Sequence, residues 1–137
     1  MSRENVETVR RTYAEWERGN MWAGVDLFEP GIVFESFMPD SSDRVVAHGH
    51  DEVEAFMREF LGQWRDYTII GNEVREAGND KVFVAGHQTA TGRHSGVAVE
   101  DVLFSAWTFR GGKIIHLLFE RDRQTALEAA GLRESGG

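Results

Sequence analysis

The stretch YTIIGNEVREAGNDKVFVAGHQTATGRHSGVAVEDVLFSAWTFRGGKIIHLLFER, residues 67–121, decides the fold of this chain. Its apolar and β-branched residues fall into four runs with the two-residue period of a β-strand. The separators at 78–80, 92–96 and 111–112 have the Gly-rich, polar composition of hairpin turns, so consecutive strands are expected to pair antiparallel as a meander. The four predicted strands span residues 67–75, 81–91, 97–110 and 113–121.

Three helices are predicted ahead of these strands. Apolar residues recur at spacings of three and four over residues 6–16, and Gly19 ends that first helix. The same spacing over residues 22–28 predicts a short second helix, which Pro30 ends. The longest apolar stripe runs over residues 53–64 and predicts the third helix.

Two shorter features complete the predicted order of elements. Residues 32–37 are rich in β-branched and aromatic types and predict a strand, and residues 45–47 predict a brief strand that pairs back on it. A terminal helix is predicted from Asp122 to Gly131, with Ala126, Leu127 and Ala130 along one side. Helices that precede a run of strands predict an α+β domain, in which the helices cover one face of an antiparallel sheet.

Length and composition indicate an ordinary globular protein. The 137 residues, 41% hydrophobic and 28% charged, suit a single domain, here expected over residues 1–133 with a flexible tail at 134–137. No apolar run is long enough to span a bilayer, and the start, MSRENVETVRR, lacks the apolar stretch of a signal peptide. A cytoplasmic location and no membrane partner are therefore expected.

Charge and cysteine content exclude further classes. A net charge of −8 repels a phosphate backbone, so no nucleic-acid partner is expected. The chain has no cysteine, which excludes disulfides, thiolate nucleophiles and Cys-based metal sites and leaves carboxylates, His and Tyr to carry any chemistry.

Two motifs, taken in order, resemble a known family. One is His48-Gly49-His50-Asp51-Glu52-Val53 ahead of the third helix, and the other is Gly111-Gly112-Lys113-Ile114 followed by Asp122, Leu127 and Gly131. Over nearly the whole chain this pattern resembles the SnoaL-like group of the nuclear transport factor 2-like superfamily. The resemblance implies a cone-shaped α+β fold, with three N-terminal helices packed on a curved antiparallel sheet that encloses a pocket. That superfamily includes polyketide cyclases, a steroid isomerase, an epoxide hydrolase, dehydratases and members without known catalysis, so fold alone does not select an activity.

Asp122 is the first candidate for catalysis. It falls on the position that resembles the general acid of the polyketide cyclases, a role that a raised pKa from burial in an apolar cavity would support. The alternative is that Asp122 caps the terminal helix by accepting a hydrogen bond from its first turn. The Trp that the cyclases carry four residues earlier is Leu118 in this chain.

Glu35 and Tyr13 form a second candidate pair. By the resemblance, Glu35 stands near the carboxylate base of the steroid isomerase, and Tyr13 stands near the tyrosine that stabilises its oxyanion. A carboxylate base facing a phenol donor across an apolar cavity is a sound arrangement for proton transfer. Glu35 is longer than the Asp of that enzyme, and no counterpart of its second acidic donor is found.

The histidines give weaker candidates. His87 and His116 lie in predicted strands and are expected to offer hydrogen bonds in the pocket, although a satisfied core or surface His explains them equally well. His48 and His50 lack the helical i, i+4 spacing that places two ligands on one face. No metal and no cofactor are therefore expected.

Aromatic side chains supply the remaining pocket candidates. The chain has four Trp, two Tyr and nine Phe, most of which must form the core. A pocket between helices and sheet has to be lined by inward members of the same set. We expect Trp16, Phe34, Trp64 and Trp107 to line it, together with Tyr13 and His116.

Two functional hypotheses remain open. One is a cofactor-independent acid–base enzyme of the cyclase or isomerase type, acting on a small apolar or aromatic oxygenated substrate through Asp122, Glu35, His87 and Tyr13. The other is a non-catalytic ligand-binding or dimerisation domain of the same fold. The resemblance also implies a homodimer, and residues 116–119 are consistent with it because they place apolar side chains on both faces of a strand. Parity alone does not show which face looks into the pocket, because a bulge exchanges the two.

Overall fold

A computed structural model describes residues 2–37 and 43–132 of the chain. The predicted tail at 134–137 lies outside the described residues, and the domain boundary at 133 stays a prediction. In chain order the elements are α1 (Ser2–Glu17), a 3-10 turn (Val25–Leu27), β1 (Phe28–Phe37), β2 (Arg44–His48), α2 (Gly49–Gln63), β3 (Trp64–Ala77), β4 (Lys81–Gly92), β5 (Ala98–Arg110), β6 (Lys113–Glu120) and α3 (Arg123–Ala129).

The six strands form one curved sheet in the order β2-β1-β6-β5-β4-β3. Strands β3 to β6 pair antiparallel with their sequence neighbours, which confirms the predicted meander. Strand β2 folds back antiparallel on β1, as predicted. The pairing of β1 with β6 is parallel, a feature that the prediction of a curved antiparallel sheet did not include. The long intervening chain permits this, because parallel strands require a long connection rather than a hairpin.

The predicted second helix is a single 3-10 turn. Gly24 has a left-handed backbone with a φ of +90°, and Phe28 already pairs in β1, so the segment between them is too short for an α-helix. The strand also begins earlier than predicted and includes Pro30. A register shift between Phe28 and Val33 accommodates this proline, which cannot donate to a sheet. Two α-helices and this turn therefore precede the meander, and the third α-helix is C-terminal.

The sheet has an inner face covered by α1 and α2, and an outer face. Along β4 the side chains of Val82 and Val84 point into the main core, which also holds Trp107 and Leu117. The intervening Phe83 belongs to a second cluster on the outer face. This two-residue alternation is what the sequence pattern required.

Helix α3 packs on that outer face. Its buried side chains, Ala126 and Leu127, contact a small apolar cluster that includes Phe83, Ala106 and Leu118. The predicted terminal helix and its apolar side are confirmed. No described helix is long and apolar enough to cross a membrane, and a cytoplasmic location stays a prediction.

Two facing glycines shape the sheet beneath α1. Gly71 of β3 pairs with Gly86 of β4, and the register shifts just after Gly71. A Cβ on Gly86 would overlap the carbonyl oxygen of Ile70, and a Cβ on Gly71 would lie 3.0 Å from the ring of Tyr13. Glycine at both positions therefore allows the strands to bulge and α1 to approach the sheet closely.

Candidate functional site

A cavity lies between the inner face of the sheet, α1, α2 and the segment 21–25. About 650 Å³ of space without protein atoms lies in this cavity and in the open solvent at its mouth. The described lining is apolar except for the side chains of Ser36, Tyr67 and Gln88, and it contains no charged residue. The apolar lining residues are Trp16, Met21, Ala23, Val25, Phe28, Phe34, Phe37, Phe56, Met57, Phe60, Leu61, Ile69, Leu103, Leu117 and Phe119.

Helix α2 supplies one wall through a simple repeat. Phe56 and Phe60 are four residues apart, as are Met57 and Leu61, so all four side chains lie along one side of the helix. The opposite wall is held by Trp16 near the end of α1. Its indole N–H donates a hydrogen bond of 3.1 Å to the carbonyl of Ala23, which fixes the segment 21–25 against the cavity.

The aromatic walls contact one another. Phe34 lies 5.5 Å from Phe56 and 5.8 Å from Phe119, measured between ring centroids. Phe60 meets Tyr67 edge to face at 5.0 Å. Contacts of this kind add to the stability of buried aromatic clusters and hold the rings in fixed orientations. The cavity therefore offers aromatic faces to any molecule inside it.

One polar pair stands out in the lining. The hydroxyl of Tyr67 donates a hydrogen bond of 2.7 Å to Oε1 of Gln88, whose side chain is only 3% exposed. Burial raises the pKa of the Tyr67 phenol far above its usual range, and the nearby Tyr13 raises it further. Tyr67 is thus a neutral hydrogen-bonding group at any physiological pH.

Sequence reasoning missed this pair, although a signal for it exists. On β4 the inward positions are Val82, Val84, Gly86 and Gln88. The amide of Gln88 therefore occupies a position where the two-residue alternation of the strand predicts an apolar side chain. The prediction instead chose His87, one position away. His87 points to the outer face, where its ring hydrogen-bonds Asn72 at 3.1 Å.

Tyr13 and Trp107 lie in the core beneath the cavity and do not line it, which corrects two site predictions. The Tyr13 ring packs 4.8 Å from Trp16, and Trp107 is 0% exposed. The hydroxyl of Tyr13 and the indole N–H of Trp107 both hydrogen-bond the hydroxyl of Ser105 at 2.9 Å. This buried trio uses the polar atoms that were expected to face a ligand, and burial raises the pKa of the Tyr13 phenol.

Trp64 is also absent from the lining. It is buried where α2 ends and β3 begins, and its indole N–H has no hydrogen-bond partner among the described residues. The guanidinium of Arg93 donates to the carbonyls of Gly62 and Trp64, both at 3.1 Å, and so holds this junction. Trp64 is the first residue of β3, so its side chain is buried at the junction with α2 and not in the cavity.

Glu35 and His116 lie on the outer face, contrary to prediction. Their neighbours Phe34 and Leu117 point into the cavity, so alternation turns Glu35 and His116 away from it. The two side chains meet at 2.6 Å, each about one-third exposed. The two side chains form a hydrogen-bonded pair at the surface, so Glu35 is not a base within an apolar pocket.

Asp122 stands outside the cavity and caps α3. Its Oδ2 accepts a hydrogen bond of 2.9 Å from the backbone N–H of Thr125 and another from the Thr125 hydroxyl. These bonds lower the pKa of the exposed carboxyl, the opposite of the rise that a buried general acid requires. The structure therefore supports the capping alternative, and a catalytic role for Asp122 stays a prediction without a geometric basis.

The predicted residues that the structure brings to the cavity are Trp16 and Phe34. Within residues 2–37 and 43–132, no three His, Asp or Glu side chains come together in an arrangement that could hold a metal ion. The lining formed by those residues offers aromatic surface and neutral hydrogen-bonding groups.

The comparisons with known proteins agree with this architecture. Residues 9–117 match the family model described as SnoaL-like domain. No curated protein matches the sequence.

Three solved structures are similar over nearly their whole lengths. An NTF2-like protein of unknown function from Burkholderia pseudomallei is 22% identical with a TM-score of 0.74, covering 92% of this chain and 96% of that one. A protein assigned as a SnoaL-like polyketide cyclase from Jannaschia sp. is 20% identical with a TM-score of 0.72, covering 97% and 95%. TerC, co-crystallised with polyporic acid, is 19% identical with a TM-score of 0.71, covering 93% and 98%. At such identities the similarity shows the fold alone.

Proposed function

This chain belongs to the SnoaL-like family, and from that premise we propose that it binds a small, largely apolar or aromatic molecule bearing oxygen in the cavity between the helices and the sheet. The observation that carries the proposal is the lining itself. Aromatic and aliphatic side chains surround one buried polar pair, Tyr67 and Gln88, and no charged side chain of the described residues takes part. A mostly apolar concavity with a few convergent polar groups is the usual form of a small-molecule site.

We propose binding rather than catalysis because the candidate acid–base groups lie outside the cavity or stay protonated. Acid–base catalysis needs a group whose pKa lies near the working pH and which reaches the reacting atom. Of the candidates, Asp122 caps α3, and Glu35 and His87 lie on the outer face. The phenol of Tyr67 does line the cavity, but burial raises its pKa and keeps it protonated.

Ligand titration tests the proposal. Aromatic oxygenated compounds are the first choice, and polyporic acid, the compound in the TerC structure, belongs in the panel. Trp16 lines the cavity, so quenching of tryptophan fluorescence reports occupancy, and isothermal titration calorimetry gives the affinity. We expect saturable binding with a stoichiometry of one per chain.

A blocking variant shows where the ligand binds. Ala23→Phe places a ring in the cavity wall and should abolish binding, whereas Ala98→Phe makes the same change at an exposed position of β5 and should leave affinity unchanged. If no compound of the panel binds, or if both variants bind like the wild type, the proposed function is wrong.

A cofactor-independent cyclase or isomerase activity is the second candidate. The match to the SnoaL-like family model, together with the name of one structural neighbour assigned as a polyketide cyclase, suggests it. In that case Asp122→Asn should reduce turnover of an identified substrate at least tenfold, as loss of a general acid does. Full turnover by this variant would exclude Asp122 as the acid.

A further inference from the structure

The polar pair in the cavity has hydrogen-bonding capacity to spare. The Tyr67 hydroxyl donates its hydrogen bond to Oε1 of Gln88. Both N–H groups of the Gln88 amide therefore remain able to donate to another group. No described residue accepts a hydrogen bond from that amide nitrogen. Because Gln88 is 3% exposed and lines the cavity, these donors face the space that a ligand would fill. A ligand oxygen that accepts a hydrogen bond from this amide should therefore bind more tightly than a molecule without such an oxygen.

An ion pair lies close to the cavity but outside its lining. Asp101 stands directly opposite Gln88 in the sheet register, and its carboxylate accepts a hydrogen bond of 3.1 Å from Arg121. The guanidinium of Arg121 lies 4.0 Å over the ring of Phe37, which lines the cavity. Neither Asp101 nor Arg121 belongs to the lining, and the hydrogen bond between them pairs the negative charge with the positive one.

The interior itself disfavours an ion. An anion that enters the cavity loses its hydration and meets no cation among the described lining residues, only the neutral polar groups of Gln88, Tyr67 and Ser36. The raised pKa of Tyr67 reports the same environment, because burial there destabilises a negative charge.

We propose that Gln88, oriented by Tyr67, makes this cavity selective for uncharged molecules whose carbonyl or hydroxyl oxygen accepts a hydrogen bond from the amide, and against their ionised counterparts. The inference rests on the proposed binding function and adds to it the chemical class of the ligand. Gln88 is the specificity-determining residue, and Tyr67 is a positioning residue that holds the amide with its donors toward the ligand.

Three compounds of similar size test the inference: 2-methylnaphthalene without a polar group, 2-acetylnaphthalene with a neutral carbonyl, and 2-naphthoate with a charge. Calorimetry on the full chain at pH 7 should show the ketone binding about fivefold more tightly than the hydrocarbon, the gain typical of one neutral hydrogen bond. The naphthoate should bind at least tenfold more weakly than the ketone, because its charge has to be desolvated.

Two variants locate the effect. Gln88→Leu keeps the approximate volume and removes the donors, so it should retain the affinity for 2-methylnaphthalene and lose the preference for the ketone. His87→Leu makes a comparable polar-to-apolar change at the next position of the same strand, on the outer face, and should keep the preference. If Gln88→Leu does not fold, as judged by circular dichroism, the relative affinities of the wild type for the three compounds still test the inference.

The outcomes separate this inference from the function on which it rests. If none of the compounds binds, the proposed function fails and the inference falls with it. Binding of the hydrocarbon and the ketone with equal affinity would overturn the inference alone, and so would an unchanged ketone preference in Gln88→Leu. Tightest binding by 2-naphthoate would also overturn it and would indicate a role for Arg121 in recognising anions.

Discussion

Removing the hydroxyl of Ser105 should destabilise the protein far more than an ordinary loss of one oxygen atom. Ser105 is 0% exposed, and its Oγ hydrogen-bonds both the Tyr13 hydroxyl and the Trp107 indole. Ser105→Ala therefore leaves two buried polar groups without a partner. At roughly 1–3 kcal/mol for each unsatisfied group, and with some relaxation, the free energy of unfolding should fall by about 2–4 kcal/mol. That is a large share of the roughly 5–15 kcal/mol that stabilises a typical domain.

Urea unfolding followed by circular dichroism measures this loss, and Ser36→Ala is the matched control. Ser36 is also buried, but among the described residues its hydroxyl bonds only the carbonyl of Phe37, at a long 3.4 Å, so its removal should cost less than about 1 kcal/mol.

A double-mutant cycle tests the cause of the loss. Adding Tyr13→Phe to Ser105→Ala removes one of the two orphaned groups, so the double variant should be more stable than the sum of the single effects predicts, by about 1 kcal/mol or more. Equal losses in Ser105→Ala and Ser36→Ala, or strictly additive effects in the cycle, would contradict the assignment of a hydrogen-bonded trio.

Three further predictions concern the glycine pair, the cap of α3 and the outer face of the sheet. Gly86→Ala should lower the melting temperature by more than about 10 °C, because its Cβ overlaps the neighbouring strand, whereas Gly62→Ala has open space in α2 and should leave it unchanged or raise it. Asp122→Ala should lower the urea midpoint at pH 7. The pKa of this carboxyl is lowered in the folded state, so the stability that it contributes is fully present above its usual pKa of 3.8 and is lost as the pH falls through the lowered pKa. The difference in urea midpoint between the variant and the wild type should therefore shrink below about pH 4. A constant gap from pH 7 to pH 3 would contradict the capping role. The expected homodimer stays a prediction, for which light scattering should give twice the monomer mass. The side chain of Val102 is 55% exposed on the outer face, and Val102→Glu should reduce the measured mass to that of one monomer. A monomeric wild type would refute the prediction.

The sequence predicted the meander well and the N-terminal segment less well. Strands β3 to β6 have alternating patterns between Gly-rich turns, so local signals fix both their type and their order. The segment 22–28 has helical spacing, but Gly24 and the pairing of Phe28 with β6 override it. Pairing between residues far apart in the chain leaves no local signal, which is why the parallel contact of β1 with β6 was not predicted.

The candidate site was predicted only in part, for a geometric reason. Trp16 and Phe34 were found because large aromatic residues at inward positions must face either the core or the cavity. Chemistry-bearing residues were chosen by type, and on a strand an error of one position exchanges the faces, as with His87 in place of Gln88. The trio of Tyr13, Ser105 and Trp107 shows the other source of error, because the sequence does not reveal which buried polar atoms already bond each other.

The parallel pairing of β1 with β6 also has a consequence for the order of biosynthesis. Strand β1 is made before the rest of the sheet, yet its partner on one side is the last strand of the sheet, so the two meet only after residues 113–120 have left the ribosome. Until then the β1–β2 hairpin presents an unpaired edge, the kind of surface on which nascent chains aggregate or recruit chaperones. If translation is stalled before residue 113, the nascent chain should therefore be sensitive to protease. If it is stalled late enough for residue 120 to have left the exit tunnel, the chain should be resistant.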